Sequence, residues 1–355
     1  MRTLARLALA AGALALAAPA SAQIALDWSG FVTGAYTYNV DQPRSGTNAG
    51  RIFDTEDNTF QVPLAELAVS GEAQGGPSFN LVLNFGDVAG EIHSKGLLEE
   101  VSGFDVQQAT VSYRGFTVGK FATLIGAEVI ESPDDLNYSR SFLFGMAIPF
   151  THTGILYRTE VAEGVSVGLA LVNGWDNFDD NNSGKSVMGQ VAVALGKASV
   201  SLQGIYGPEK DRNTDGAGSD NRGVVDLVAS FTPADGTTFM LNADYGSEEH
   251  AALDGGQGVW WGAAVYADQM LTDTFGVAAR AEYFNDEDGA APGGLGVATD
   301  LWEVTLTAHQ QVAKHLVGRL EARYDAASDD LFEDSDGSLK DHQFTLAGEA
   351  ILRFP

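Results

Sequence analysis

The sequence predicts an all-β chain: a 16-stranded antiparallel transmembrane β-barrel with short periplasmic turns and long extracellular loops. Three observations predict it. Alternation with period two recurs along nearly the whole chain, with no long helical stripe between. An export leader opens the sequence. Long, acid-rich connections alternate strictly with short turns, and an aromatic stands next to last.

The leader is residues 1–22. Arg2 and Arg6 are its positive region, residues 7–18 its apolar stretch, and Ala20-Ser21-Ala22 its small-residue cleavage site. This predicts a signal peptide over 1–22 and one barrel domain over 23–355. After Gln23 no apolar run of about 18 residues occurs, so no transmembrane helix is expected. Barrel strands need only about 9–11 alternating residues each. A mean hydropathy of −0.04 suits that case, because lipid-facing and lumen-facing side chains cancel.

Sixteen strands are expected near 28–40, 59–71, 78–87, 105–114, 116–123, 152–160, 165–173, 186–195, 198–206, 223–232, 237–246, 259–270, 275–284, 301–310, 316–325 and 342–354. In the third, Phe79, Leu81, Leu83 and Phe85 share one face and Asn80 and Asn84 the other. In 198–206, Val200, Leu202 and Tyr206 oppose Ser199, Ser201 and Gln203. In 301–309, Trp302, Val304 and Leu306 oppose Glu303, Thr305, Thr307 and His309. A charge facing lipid at mid-depth costs roughly 2–4 kcal/mol, so the charged set must face the interior. Strand 59–71 changes phase near Ala65-Glu66, as at a bulge. Tyr113, Phe116, Tyr206, Phe231, Phe239, Tyr245, Phe275 and Tyr283 sit near strand ends, where two interfacial girdles would lie.

The long connections are 41–58, 88–104, 124–151, 174–185, 207–222, 247–258, 285–300 and 326–341. An up-and-down barrel with both termini in the periplasm has this layout, whereas a β-sandwich gives no such alternation. The third loop, 124–151, is apolar in its second half, which is unusual for a solvated loop. It is expected to fold back inside the barrel and narrow it.

The chain carries 48 acidic and 20 basic residues, a formal charge of −28. Such a chain repels nucleic acid. There is no cysteine, so disulfides, thiolate metal sites and cysteine nucleophiles are all absent. The fold must rest on ladders and packing.

The segments Gly119-Lys120-Phe121, residues 125–132, Asn137-Tyr138-Ser139-Arg140-Ser141 and Ile148-Pro149-Phe150-Thr151-His152-Thr153-Gly154 resemble the OmpL-like family of outer-membrane β-barrel porins. Val172-Asn173-Gly174-Trp175, Leu241-Asn242-Ala243-Asp244-Tyr245-Gly246 and Arg280-Ala281-Glu282-Tyr283-Phe284 add to it. The resemblance spans the mature chain. It implies a water-filled channel in a bacterial outer membrane and defines no substrate. The ending departs from the usual pattern, because Pro355 follows Phe354.

The expected pore constriction is Glu128, Glu131, Asp134, Asp135 and Arg140 on the inward loop. The expected lumen wall is Arg158, Asp226, Asp244, Arg280, Glu282, Arg319, Glu321, Arg323 and Arg353. Acid facing base across a narrow water column sorts ions by charge; the plainer alternative is a set of mutually satisfied wall ion pairs. Loop carboxylates at Asp179-Asp180, Asp286-Glu287-Asp288 and Glu333-Asp334-Ser335-Asp336 offer hard oxygens to Ca²⁺ but lack EF-hand spacing. The six histidines are scattered and no nucleophile elbow occurs, so no enzyme and no cofactor are expected.

The expected function is passive diffusion of small hydrophilic solutes or ions. The expected partners are outer-membrane lipid, the barrel-assembly machinery acting on the C-terminal strand, and further copies in a homo-trimer, for which Gly30 and Gly34 would supply small wall residues. A channel specific for sugars or organic acids is the first alternative, and a soluble secreted β protein the second.

Overall fold

A computed structural model describes residues 24–98, 100–210 and 219–355. The expected leader lies outside the described residues. Among these, sixteen long strands form the wall. They are β1 (Ala25–Asn39), β2 (Ala65–Glu72), β3 (Ser78–Phe85), β4 (Phe104–Tyr113), β5 (Phe116–Ala122), β6 (Thr151–Ala162), β7 (Val165–Val172) and β8 (Ser186–Leu195). Then follow β9 (Ala198–Lys210), β10 (Ser219–Ala234), β11 (Thr237–Glu248), β12 (Gly258–Met270), β13 (Phe275–Asp286), β14 (Thr299–Ala313), β15 (Leu316–Ala327) and β16 (His342–Phe354). Each pairs antiparallel with its sequence neighbour. β1 and β16 close the cylinder, with Gly30 opposite Phe354 and Asn39 opposite Thr345. Closure leaves no edge, which is what a bilayer demands of a sheet.

The faces are inverted relative to a water-soluble protein. On β14, Trp302, Val304 and Leu306 are exposed while Glu303, Thr305 and Thr307 are buried. On β11, Phe239 and Tyr245 point outward while Asn242 and Asp244 are buried. Lipid is therefore the only solvent that suits the outside. The row that begins at Phe79 follows the same rule: Phe85 is exposed and Asn84 is buried. Outward aromatics pair across strands at both ends. Phe116 and Tyr157 lie 4.7 Å apart near the short turns, and Trp261 and Tyr283 lie 5.1 Å apart near the long loops.

The second expected strand is divided. Thr59–Gln61 pairs with the upper part of β1, and Val62 to Leu64 leave the ladder before β2 begins. Pro63 has no N–H to give, which explains the break. The Thr33 hydroxyl and N–H hold the Leu64 carbonyl across the gap. The phase change thus marks an interruption rather than an added residue. A bulge is found instead between β3 and β4, beside Val82 and Leu83. The second long loop carries a helical turn, Asp87–Glu91, that alternation did not announce.

The core is inside the outer half of the barrel. Phe142, Leu143, Phe144, Met146 and Ile148 of loop 124–150 pack with Phe53, Val88, Ile92, Trp175 and Trp260. Several loops thus share one apolar cluster roofed by the wall.

Candidate functional site

The third long loop, here L3 (124–150), has no ladder of its own. Its backbone groups still need partners, because buried N–H and C=O groups left unpaired are costly. Inward-facing charges of the wall supply them. Carboxylates take N–H groups: Glu282 accepts from Phe142 and Leu143 at 2.7 and 2.6 Å. Glu321 accepts from Tyr138 and Ser139 at 2.7 and 3.0 Å. Asp226 accepts from Gly126 at 3.1 Å. Guanidinium groups take carbonyls: Arg280 donates to Ser139 at 2.7 Å and Arg319 to Ser132 at 3.0 Å. Arg323 bonds the Arg140 carbonyl and Arg353 the Pro133 carbonyl. L3 is therefore stapled to the wall from β10 round to β16.

The expected constriction residues divide. Arg140 is buried within L3 and donates to the carbonyls of Val129, Tyr138 and Ile130, with Asp135 as its ion partner at 2.9 Å. Its guanidinium also stacks over Phe53 and Phe144. Glu128 bonds Arg280 at 2.6 Å and the Ser141 hydroxyl and N–H. Asp134 is exposed and pairs with Arg353 at 2.8 Å. Glu131 accepts from Gln107 of β4 at 2.7 Å.

The expected wall residues divide too. Arg280, Glu282, Arg319, Glu321 and Arg323 are buried beneath L3. Asp226 and Asp244 stand directly opposite each other on β10 and β11, both buried. Arg158 projects from β6 and bonds Gln190 of β8 at 2.8 Å.

What L3 leaves open lies on the other side of the barrel. A cavity of about 460 Å³ runs between L3 and strands β4, β5, β6 and β8. Its wall side carries Gln107, Thr110, Ser112, Thr117, Arg158 and Gln190. Its loop side carries Glu128, Val129, Ile130, Glu131, Phe144 and Phe150. The uncharged polar residues were missed by a search for charge. For Thr110, Ser112 and Thr117 the signal was available in the period-two phase of strands 105–114 and 116–123, whereas Gln107 stands on the other parity, across the bulge on its strand. Behind them, Lys120 and Asp105 form a buried pair at 3.1 Å.

The outer-loop acids are engaged locally. Glu333 accepts from Ser45 N–H, Asp336 from Ser338 N–H, and Asp286 from Ala290 and Ala291. Asp180 pairs with Lys185. Among the described residues no group of three metal-ligating side chains comes together.

Solved structures share this architecture at low identity. The outer membrane channel DcaP of Acinetobacter baumannii is 13% identical with a TM-score of 0.67, over 95% of this chain and 99% of that one. An anion-selective porin from Comamonas acidovorans is 11% identical with a TM-score of 0.64, over 94% and 100%. OmpT of Vibrio cholerae, in a trimer form, is 13% identical with a TM-score of 0.60, over 93% and 99%. No curated protein matches the sequence. Residues 25–354 match the model of the family described as "Putative beta-barrel porin-2, OmpL-like". A closed barrel with a lipid-suited exterior and a polar passage within is what that family's description calls for, and the chain belongs to it as an outer-membrane channel protein of bacteria.

Proposed function

We propose that the barrel is a diffusion channel for small hydrophilic solutes and that L3 sets its narrowest part. The observation that carries this is the off-centre cavity of about 460 Å³, amide and hydroxyl groups on its wall side and carboxylates on its loop side. Hydroxyl and amide linings replace hydration without binding tightly, so solutes can enter and leave. Glu128 is already paired with Arg280, so the charges that face each other across this space are Glu131 on the loop and Arg158 on the wall, acid opposite base. Liposomes containing the refolded protein should swell in small sugars and amino acids and not in oligosaccharides. Absence of swelling in every solute would end this proposal.

The lining also has an apolar side, at Val129, Ile130, Phe144 and Phe150. This supports a second reading, a solute-selective channel, and a steep dependence of swelling rate on solute type at equal size would favour it.

Residues 1–22 would serve as the cleaved leader, and β16, with Phe354 near its end, would be read by the assembly machinery. A homo-trimer would bury a depression of about 590 Å³ on the lipid side of β1 and β14–β16. Gly34, Gly318, Gly348 and Ala350 line it, and the OmpT neighbour has a trimer form.

A further inference from the structure

A second cavity, of about 260 Å³, opens on the extracellular side of L3. Phe150 borders both cavities, so this one lies next to the inner one, nearer the outer loops. Its charged lining comes from three places: Glu91, His93 and Lys95 on the second long loop, Asp176 on the fourth, and Arg222 on β10. Trp175 adds an indole.

The charges are incompletely matched. Arg222 is 5% exposed, and its guanidinium lies over Trp175, 5.2 Å from the ring centre. Its Nη2 donates to Glu248 at 2.8 Å. Nε has no partner among the described residues, and Nη1 makes no hydrogen bond there either. A guanidinium carries five N–H donors, and leaving them unmade beneath a protein surface is costly. Lys95 is exposed and forms no ion pair among the described residues. Asp176 uses Oδ1 alone, accepting from Phe150 and Thr151 at 2.8 and 2.9 Å. No ion pair joins Asp176 to Lys95 or Arg222, although the Lys95 N–H reaches the Asp176 carbonyl at 2.7 Å. His93 is occupied, its Nε2 2.7 Å from the Phe104 carbonyl.

A simple anion here would meet Arg222 and Lys95 but be repelled by Asp176 and Glu91. A simple cation would meet the reverse. A small molecule with both charges a few bonds apart satisfies both sets. We propose that this outer cavity binds small α-amino acids as zwitterions, the carboxylate at Arg222 and Lys95 and the ammonium at Asp176. The proposal rests on the channel reading only for the solute's route, since binding needs no conduction.

The test titrates glycine, acetate and ethylammonium separately into the refolded barrel in detergent at pH 7.5, by calorimetry and tryptophan emission. Glycine should bind saturably and at least tenfold more tightly than either half-molecule. Lys95→Gln, on an exposed side chain, should weaken glycine about tenfold. Asp176→Asn, which keeps an acceptor for Phe150 and Thr151, should do the same while leaving acetate unchanged or tighter. Acetate binding as tightly as glycine would overturn the zwitterion, and no saturable glycine binding would overturn the site. Retention of glycine binding by a barrel that fails the swelling test would leave this site standing without the channel reading.

Discussion

Glu282 and Glu321 occupy positions where an open water column would have solvated them, yet each accepts two backbone N–H groups of L3. Removing one such carboxylate strands two buried donors, at a cost of roughly 1–3 kcal/mol each. Glu282→Ala and Glu321→Ala should therefore loosen L3, giving larger and noisier single-channel currents in planar bilayers, with Gln at either site closer to the native trace. Glu131 has a different part, since it lines the passage. Glu131→Gln should move the reversal potential under a salt gradient toward anions, and no movement would remove this carboxylate from the selectivity argument. Gly119 illustrates backbone constraint. Its φ is +131°, and an added Cβ would stand 2.0 Å from the Ala109 carbonyl oxygen. Gly119→Ala should cost about 1–3 kcal/mol in urea unfolding. Gly189→Ala, with nothing within 4 Å of the added carbon, should cost little.

At the scale of elements, L3 is held at its exit by Asp176, a loop residue above the strands. Burial raises this carboxyl to about 6, against the two N–H bonds that lower it and the nearby Lys95 and Lys120. Glu91, His93 and Arg222 share its cavity. Because the folded state holds this proton more tightly than the unfolded chain, its contribution favours folding at low pH. That contribution fades as pH rises from about 4 to about 6 and is constant above. Asp176→Asn should remove this downward slope from a plot of unfolding free energy against pH. The strands themselves were legible because period-two alternation survives the reversal of solvent. The Val62–Leu64 break was legible only as a change of phase. What L3 does with its charges was not legible. Arg280, Arg319 and Arg323 carry the same alternation signal whether they face water or a loop backbone, and sequence alone cannot show which.

For the whole molecule, the barrel stands on paired strands rather than cross-links, and every long strand has two partners. Such a ladder has no place to begin unzipping. Unheated samples should migrate apart from boiled ones on detergent gels, and coincident bands would argue against closure. Subunit contact is tested on the same gels: a Cβ added at Gly34 meets nothing within 4 Å, and Gly34 lines the outer depression, so the ring of Gly34→Phe would project into it. It should convert the proposed trimer to monomer. The passage was less legible than the barrel. Its position was set by which half of the wall L3 covers, a fact of pairing across a hundred residues, as between Gly126 and Asp226.

That separation has a consequence for biogenesis. L3 leaves the ribosome and the export machinery before β10 to β16, which carry nearly all of its anchors. Until those later hairpins arrive, the loop has no destination. Seating the loop and joining the first strand to the last must then happen as one late event, so in the cell lesions in the anchors should also delay assembly, leaving stalled intermediates beside the altered mature pores.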